Sequence, residues 1–370
     1  MTQLSRSRVR FSRALGLLVT LPLAPLLIFP SARAADVFQL SSDESNALFD
    51  RAKVSVVQVR SGDKGYILAG SGFFIDDQGT VLTSSSILGE NTSARVVIDG
   101  VEMDAKILGN DPRSGLAMLR ISYGATPALP LARVSGLQSG DGVMAIGYPL
   151  NLPVAPSQGP VSGFDASYLT RVDADAAGPK GSVAAVERFA TTHVHANVPI
   201  SPGQVGGPLL NSHGEVVGLV ATSPDDGRSV YALPIEAMTK IMADFNLYGR
   251  ARHGWVGVNV VQSPDTEHDG RTVRVVQVVA GTPANESGIR AGDTVMRIDS
   301  REIYRPADVL DASFFSEVGS NLNVVVRRDD KLFNYSFAVI ERPQNAATLT
   351  VPVVAGNSTN VNHVAVDPTK

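Results

Sequence analysis

The chain has no cysteine among its 370 residues. That excludes disulfides, thiolate metal sites and cysteine nucleophiles, so cores alone must hold the fold. A basic surplus is also missing: 32 lysines and arginines stand against 36 acids, a formal charge of −4. A nucleic-acid binder needs a basic stripe to neutralise phosphates, so that class is set aside. Histidines number six and tryptophan occurs once, at Trp255. The strongest apolar run, Ala14 to Phe29, falls short of the roughly 20 residues of a membrane span and is broken by Pro22 and Pro25. No cofactor is expected.

What is present begins with an export signature. Arg6, Arg8, Arg10 and Arg13 precede the apolar run, and Ala32-Arg33-Ala34 supplies a small-x-small cleavage pattern. Residues 1–34 are therefore predicted to be a signal peptide, the alternative being an uncleaved anchor. No Arg-Arg pair points to the twin-arginine route. The expected location is outside the cytoplasm, the periplasm in a Gram-negative bacterium, with no membrane span after cleavage. Hydrophobic residues at 44% and charged residues at 18% are the composition of a globular chain. Its length suits two domains plus tails.

Ser41-Ser42-Asp43-Glu44 reads as a capping box opening a short helix to about Ala52. From Val54 to about Val230, short runs such as Val54–Arg60, Gly72–Ile75, Val81–Thr83, Arg95–Ile98, Leu116–Ile121, Val143–Ile146, Val216–Ala221 and Val230–Leu233 alternate with Gly, Asp, Asn and Pro clusters. Regular short strands of this kind predict an all-β sandwich or barrel. Thr170–Arg188 reads as a long surface loop. Pro234 at the first helical position opens a helix, with Ile235, Met238, Ile241, Met242 and Phe245 on one face. Gly249–Gly254 reads as a linker. A second module, about Trp255 to Glu341, has five strand candidates and helical stretches near Ala284–Ser287 and Pro306–Phe315. The predicted division is 35–250 for the first domain, 251–341 for the second and 342–370 for a disordered tail, in which Leu349–Val354 has strand character.

Several ordered motifs then line up. Gly70-Ser71-Gly72-Phe73-Phe74-Ile75, with Gly79 and Val81-Leu82-Thr83, resembles the first hairpin of the HtrA/Deg trypsin-like serine proteases. Asp111-Pro112-Arg113-Ser114-Gly115-Leu116-Ala117, Gly140-Asp141 with Val143–Pro149, and Gly203-Gln204-Val205-Gly206-Gly207-Pro208-Leu209 resemble later signatures of that family. Gly254-Trp255-Val256-Gly257-Val258, Gly281-Thr282-Pro283-Ala284 and Ala291-Gly292-Asp293 resemble its PDZ domain. The resemblance covers roughly Val54 to Arg342. It implies a mostly β fold, a trypsin-like double β-barrel followed by a PDZ domain.

The same alignment places Ser86 where the family has its catalytic histidine, Gly115 where it has aspartate, and Val205 where it has the nucleophilic serine. Acyl transfer needs a hydroxyl to attack, an imidazole to take its proton and a carboxylate to orient the imidazole. Losing one member of such a unit costs roughly 10⁴–10⁶ in rate. The resemblance thus implies a protease fold with a degenerate triad, a pseudoprotease. The amides of Gly203, Gln204 and Val205 remain as an oxyanion-hole-like nest able to bind a carbonyl or anion.

Two alternatives stay open. Ser201, paired with His193 or His195, is a candidate relocated nucleophile. His193 and His195, two apart on a strand, offer two imidazoles to a metal on one face, against the simpler reading of a solvated face. Trp255 lies either beside the peptide-binding loop or in a core. For the second module the resemblance implies capture of peptides or protein C-termini. The backbone of Trp255, Val256, Gly257 and Val258 would receive a carboxylate, and Val256, Val258, Val309 and Leu310 would shape the pocket. It also implies a homotrimer or a mixed oligomer with active relatives, with Phe38 and the following helix as the contact.

Overall fold

The short apolar runs close on themselves twice. The computed structural model describes residues 42–62, 68–172, 183–265, 270–343 and 352–353; the expectations for the signal peptide, Phe38, most of the tail and the 173–182 stretch lie outside these residues. The first barrel contains β1 (Val56–Ser61), β2 (Leu68–Phe74), β3 (Thr80–Ser84), β4 (Ala94–Ile98), β5 (Val101–Asp111) and β6 (Leu116–Arg120). They follow the closed order β1-β2-β3-β6-β5-β4. Closure leaves no edge, and inward residues such as Val59, Phe74, Val81, Val96 and Leu119 meet in one buried cluster.

The second barrel contains β7 (Gly142–Gly147), β8 (Ala155–Val172), β9 (Val183–Ala196), β10 (Pro208–Leu210), β11 (Val216–Thr222) and β12 (Val230–Pro234). Its order is β12-β11-β10-β7-β8-β9, and β12 closes on β9. Before the barrels comes α1 (Ser42–Ala52), and between β3 and β4 the short α2 (Ser85–Leu88). After them α3 (Ile235–Tyr248) lays Ile235, Met238, Ile241 and Phe245 into the second core. Each such burial contributes about 1.5–3 kcal/mol. Gly249 ends α3 in the left-handed conformation, and its amide donates to the Phe245 carbonyl at 3.0 Å.

The C-terminal module has β13 (Gly254–Trp255), β14 (Val258–Asp265), β15 (Gly270–Val278), α4 (Pro283–Ser287), β16 (Thr294–Ile298), β17 (Arg301–Glu302), α5 (Pro306–Phe315), β18 (Asn321–Arg328), β19 (Lys331–Ala338) and β20 (Ile340–Glu341). Its main sheet runs β14-β15-β16-β18-β19, so β14 is an edge. β13 pairs with β20. A last two-residue strand, β21 (Pro352–Val353), pairs with β9, within the tail stretch expected to have strand character.

Four readings of the sequence are corrected. Thr170–Arg188 is not a plain loop: β8 and β9 pair out to Val172↔Val183, because the backbone of these flanks meets its partners in one long hairpin. β5 and β10 were not foreseen; β5 alternates half-buried with exposed residues and offers no apolar run. Pro234 is the N-cap of α3 and the last residue of β12, not the first helical residue. The 249–254 stretch is docked, not a free linker. Arg250 and Arg252 both pair with Glu341, and Lys240 on α3 bonds the Arg252 carbonyl.

Docking between the modules is dense. Asp311 on α5 accepts from the Thr191 hydroxyl at 2.7 Å and from the Thr192 amide and hydroxyl at 2.8 Å. Phe314, on the same helix, is buried within the core of the second barrel.

Candidate functional site

The segments carrying Ser86, Gly115 and Val205 converge between the two barrels. The Ser85 amide donates to the Gly115 carbonyl at 2.9 Å, and the Ser71 amide donates to the Val205 carbonyl at 2.8 Å. Ser71 Oγ donates to the Gly203 carbonyl at 2.7 Å, so β2 clamps the Gly203–Val205 turn from below. Val205 is half-buried and packs against the cores of both barrels.

Ser86 is exposed in the first turn of α2. Ser84 caps that helix and donates its one hydroxyl proton to the Ala221 carbonyl at 3.1 Å. Ser86 Oγ, 2.8 Å from Ser84 Oγ, must therefore be the donor between them. Gly115 has φ +82°, and a Cβ there would lie 3.3 Å from the Ala221 Cβ. Neither position presents a base, and Val205 presents no nucleophilic atom.

The predicted nest is narrower than expected. The Gln204 amide donates to the Ser201 carbonyl at 3.1 Å. The Gln204 side chain is also engaged, accepting from the Ser201 amide and donating to the Ala155 carbonyl. Gln204 is thus withdrawn from the cleft, and among the described residues only the Gly203 and Val205 amides have no acceptor there.

The two histidines lie in an aromatic cluster, His193 buried and His195 half-buried. His193 is 1% exposed and stacks on Phe189 at 3.8 Å. Burial lowers its pKa to about 4, against a smaller upward pull from the Thr191 carbonyl, so it is neutral at ordinary pH. His195 stacks on Tyr231 at 4.4 Å. No group of three potential metal ligands occurs among the described residues. Neither histidine reaches Ser201 in any hydrogen bond of the described residues.

A constellation that no sequence motif announced does appear at His195. Its Nε2 lies 3.1 Å from Ser229 Oγ and its Nδ1 3.4 Å from Asp165 Oδ2. The elements have the order serine, imidazole, carboxylate. However, Ser229 is 5% exposed, and its hydroxyl donates to Asp225 Oδ2 at 2.8 Å. Burial raises the Asp225 pKa, but the Ser229 amide and hydroxyl and the Arg228 charge outweigh it and hold that carboxyl below its ordinary value. An ionised Asp225 takes the proton that a catalytic imidazole would need to take.

The C-terminal module presents an open cleft. A cleft of about 670 Å³ lies between β14 and α5, with Trp255, Val256, Val258, Val309 and Leu310 among its walls. The structure thus brings together five of the six residues predicted for peptide binding, and Gly257 joins them through the loop. The Val256 carbonyl accepts from the Ala284 amide at 3.2 Å, and the Gly257 carbonyl from the Val279 amide at 2.8 Å. In a trans peptide the N–H points opposite the C=O. The Gly257 and Val258 amides are therefore turned away from the domain body. Holding two successive peptides this way requires the φ of +82° at Gly257, where a Cβ would lie 2.3 Å from Thr282 Oγ1. Trp255 is half-buried at this loop, 5.9 Å below the Arg342 guanidinium. Phe164, Ala166, Phe189 and Ala190 of the β8–β9 hairpin form a further wall.

Fold and opening together define a trypsin-like peptidase domain followed by a PDZ domain, and domain comparison finds the first over residues 70–219 and the second over 254–339. A probable periplasmic serine endoprotease DegP-like of Pseudomonas fluorescens is 28% identical over 309 residues, covering 80% of this chain and 61% of the relative. The putative serine protease HhoA of Synechocystis is 31% identical over 256 residues, covering 63% of this chain and 61% of the relative. The chain thus spans about three fifths of the length of these relatives. Among solved structures, the HtrA-type protease AlgW with tripeptide aligns with TM-score 0.65 at 23% identity, covering 81% of this chain and 97% of that one. The serine endoprotease from Yersinia pestis aligns with TM-score 0.60 at 22% identity, covering 82% and 100%. The chain is thus similar to HtrA/DegP-type, trypsin-like serine proteases in its two matched domains, and to solved HtrA-type proteases in fold.

Proposed function

We propose that this chain is an exported HtrA-like pseudoprotease that binds peptides or protein C-termini and acts as a scaffold or regulatory subunit. The observation that carries the reading is Val205. It occupies the turn where the family alignment places the nucleophile, and its side chain is packed into the barrel junction. With Ser86 and Gly115 at the other two positions, proton transfer and imidazole orientation are lost as well. Gly203 and Val205 amides alone can polarise a carbonyl but cannot acylate it.

Peptide capture is supported by the edge strand β14, the outward amides of Gly257 and Val258, and the apolar wall of Val309 and Leu310. An extended ligand would add to β14 as a further strand, its carboxylate on the loop. A periplasmic setting is supported by the names of the DegP-like relatives and by the N-terminal export signature. Among the described residues no helix is long and apolar enough to cross a membrane.

The test is cleavage of a denatured, fluorescently quenched protein by the purified mature chain. The expected result is no turnover above a heat-inactivated control. Turnover that survives repurification sinks the pseudoprotease reading.

A relocated serine hydrolase is the second reading, favoured by the Ser229–His195–Asp165 array. It predicts fluorophosphonate labelling that disappears in Ser229→Ala. The Ser229–Asp225 hydrogen bond argues against it, and no labelling is expected.

A further inference from the structure

Two hydrogen-bond acceptors face each other at the barrel wall of the cleft. The Ser229 hydroxyl has one proton and donates it to Asp225 Oδ2 at 2.8 Å. Ser229 Oγ therefore meets His195 Nε2, 3.1 Å away, as an acceptor, and Nε2 carries the proton of the neutral ring. Nδ1 is then a bare lone pair. It lies 3.4 Å from Asp165 Oδ2. Among the described residues Asp165 has no ion-pair partner except His195, which is one only when protonated.

The pair is open to the cleft on one side. Asp165 lines the cleft with Ala166 and Ser167, and its side chain is 49% exposed. This is the end of the groove away from the Trp255–Val258 loop. Gln262 of β14 donates to the Tyr304 carbonyl at 2.9 Å, and the next residue, Arg305, donates to the Phe164 carbonyl at 3.4 Å, beside Asp165. Gln262 lies four residues along β14 from Val258, a distance of about 13 Å in a strand. The other charges here are engaged. Arg305 pairs with Asp308 at 3.5 Å, and Asp311 holds Thr191 and Thr192 with Arg301 3.7 Å away. Along β9 the neighbour is His193, neutral above about pH 4. From β12 and the turn before it come Tyr231, Asp225 and Arg228.

We propose that Asp165 and His195 form a subsite for a basic side chain of the bound peptide, and that a proton on His195 competes for it. The inference rests on the peptide-binding reading of the cleft. A lysine ammonium has three donors and no acceptor, so it satisfies a carboxylate and a lone pair together. A protonated His195 supplies such a donor from within the wall and neutralises Asp165. The ligand class is thereby narrowed to an extended peptide with an apolar end on the loop and a lysine or arginine about four to six residues before it. Its binding weakens on acidification through the range in which imidazoles titrate, about pH 8 to 5.

The experiment measures fluorescence anisotropy of the mature chain with labelled nonapeptides that end in an apolar residue. A neutral dye caps each amino end. Lysine is placed in turn four, five and six residues before the end, and each peptide has a twin with glutamine there. The native chain, Asp165→Asn and His195→Gln are compared at about pH 8 and about pH 5.5, where lysine and the terminal carboxylate keep their charge. The expected result at the higher pH is that the native chain prefers one lysine peptide over its twin by about fivefold, the upper end for a half-exposed ion pair. The preference should disappear at the lower pH, and at both in Asp165→Asn. His195→Gln, whose amide can still donate to Ser229, should keep it at both. Equal binding of the glutamine twins shows that the variants retain the groove. If lysine and glutamine peptides bind the native chain alike at the higher pH, or if Asp165→Asn keeps the preference, the subsite is overturned while the peptide-binding reading stands. A preference undiminished at the lower pH in the native chain overturns the competing proton. If no peptide binds the native chain, the peptide-binding reading fails and this inference with it.

Discussion

His253 and Asp111 meet as a buried pair across the domain boundary, with the imidazole Nε2 2.9 and 3.0 Å from the two carboxylate oxygens. His253 is 8% exposed and Asp111 6%. Removing one partner of a buried pair strands the other, so Asp111→Ala is expected to cost about 3–5 kcal/mol. Burial raises the Asp111 carboxyl, but the hydrogen bonds from His253 and Ser114 overcome this and hold it below its ordinary value of 3.8. A depressed carboxylate stabilises fully above its unfolded pKa and ceases to do so as pH falls through the folded one. Urea unfolding should therefore show a loss of stability below about pH 4 that is smaller in Asp111→Asn.

A second acid limb should come from His193, at higher pH. Its folded pKa of about 4 lies below the ordinary 6.5. The unfolded chain binds the proton first, so stability is complete above pH 6.5 and falls as the pH drops from 6.5 towards 4. The loss is on the order of 3 kcal/mol. His193→Phe, which keeps a ring on Phe189, should flatten this window. An unchanged slope between those pH values would show that the histidine is not the sensor.

Rebuilding the triad tests whether only chemistry was lost. Val205→Ser with Ser86→His and Gly115→Asp should yield cleavage of the quenched substrate where the native chain gives none. The aspartate enters at φ +82° and 3.3 Å from the Ala221 Cβ. Gly115→Asp alone should therefore destabilise by about 1–3 kcal/mol, read as a lower urea midpoint.

The loop proposed to take the peptide carboxylate has one position that tolerates no side chain. Gly257→Ala would place a Cβ 2.3–2.5 Å from three atoms of Thr282 at a positive φ. Peptide binding should fall at least tenfold, with the far-ultraviolet spectrum of the barrels retained. Retained affinity would mean that the peptide does not seat on this loop.

Undocking should follow loss of Asp311, which accepts three hydrogen bonds from Thr191 and Thr192. Asp311→Ala is expected to open the 249–254 segment to limited trypsin cleavage at Arg250 and Arg252. Resistance equal to the native chain would show that Phe314 alone suffices.

The alternation of apolar runs with glycine-rich turns made an all-β sandwich or barrel legible in the sequence, and the resemblance of its glycine motifs implied the double barrel and the PDZ domain. The runs Val54–Arg60, Gly72–Ile75 and Val81–Thr83 overlap β1, β2 and β3, and the α5 bounds coincide. β5 was not legible, since closing a barrel lets its half-exposed alternation stand without an apolar run. Of the candidate site, the loop of Trp255–Val258 and the helix of Val309 and Leu310 could be named in advance because both belong to one module. His253 and Asp111 could not. Their roles arise from a meeting of segments distant in the chain, and His253 read alone was a linker residue. Ser229 beside His195 was hidden for the same reason.

The docking of α5 bears on how this protein can be recombined. One helix carries Val309 and Leu310 toward the groove and Phe314 into the core of the second barrel. A chimera that exchanges the C-terminal module at Gly249 would exchange part of the barrel's interior with it. Donor modules are compatible only if they bring an aromatic residue at the Phe314 position and an acid opposite Thr191. The C-terminal module and the integrity of the second barrel are therefore inherited together and cannot be shuffled as independent parts.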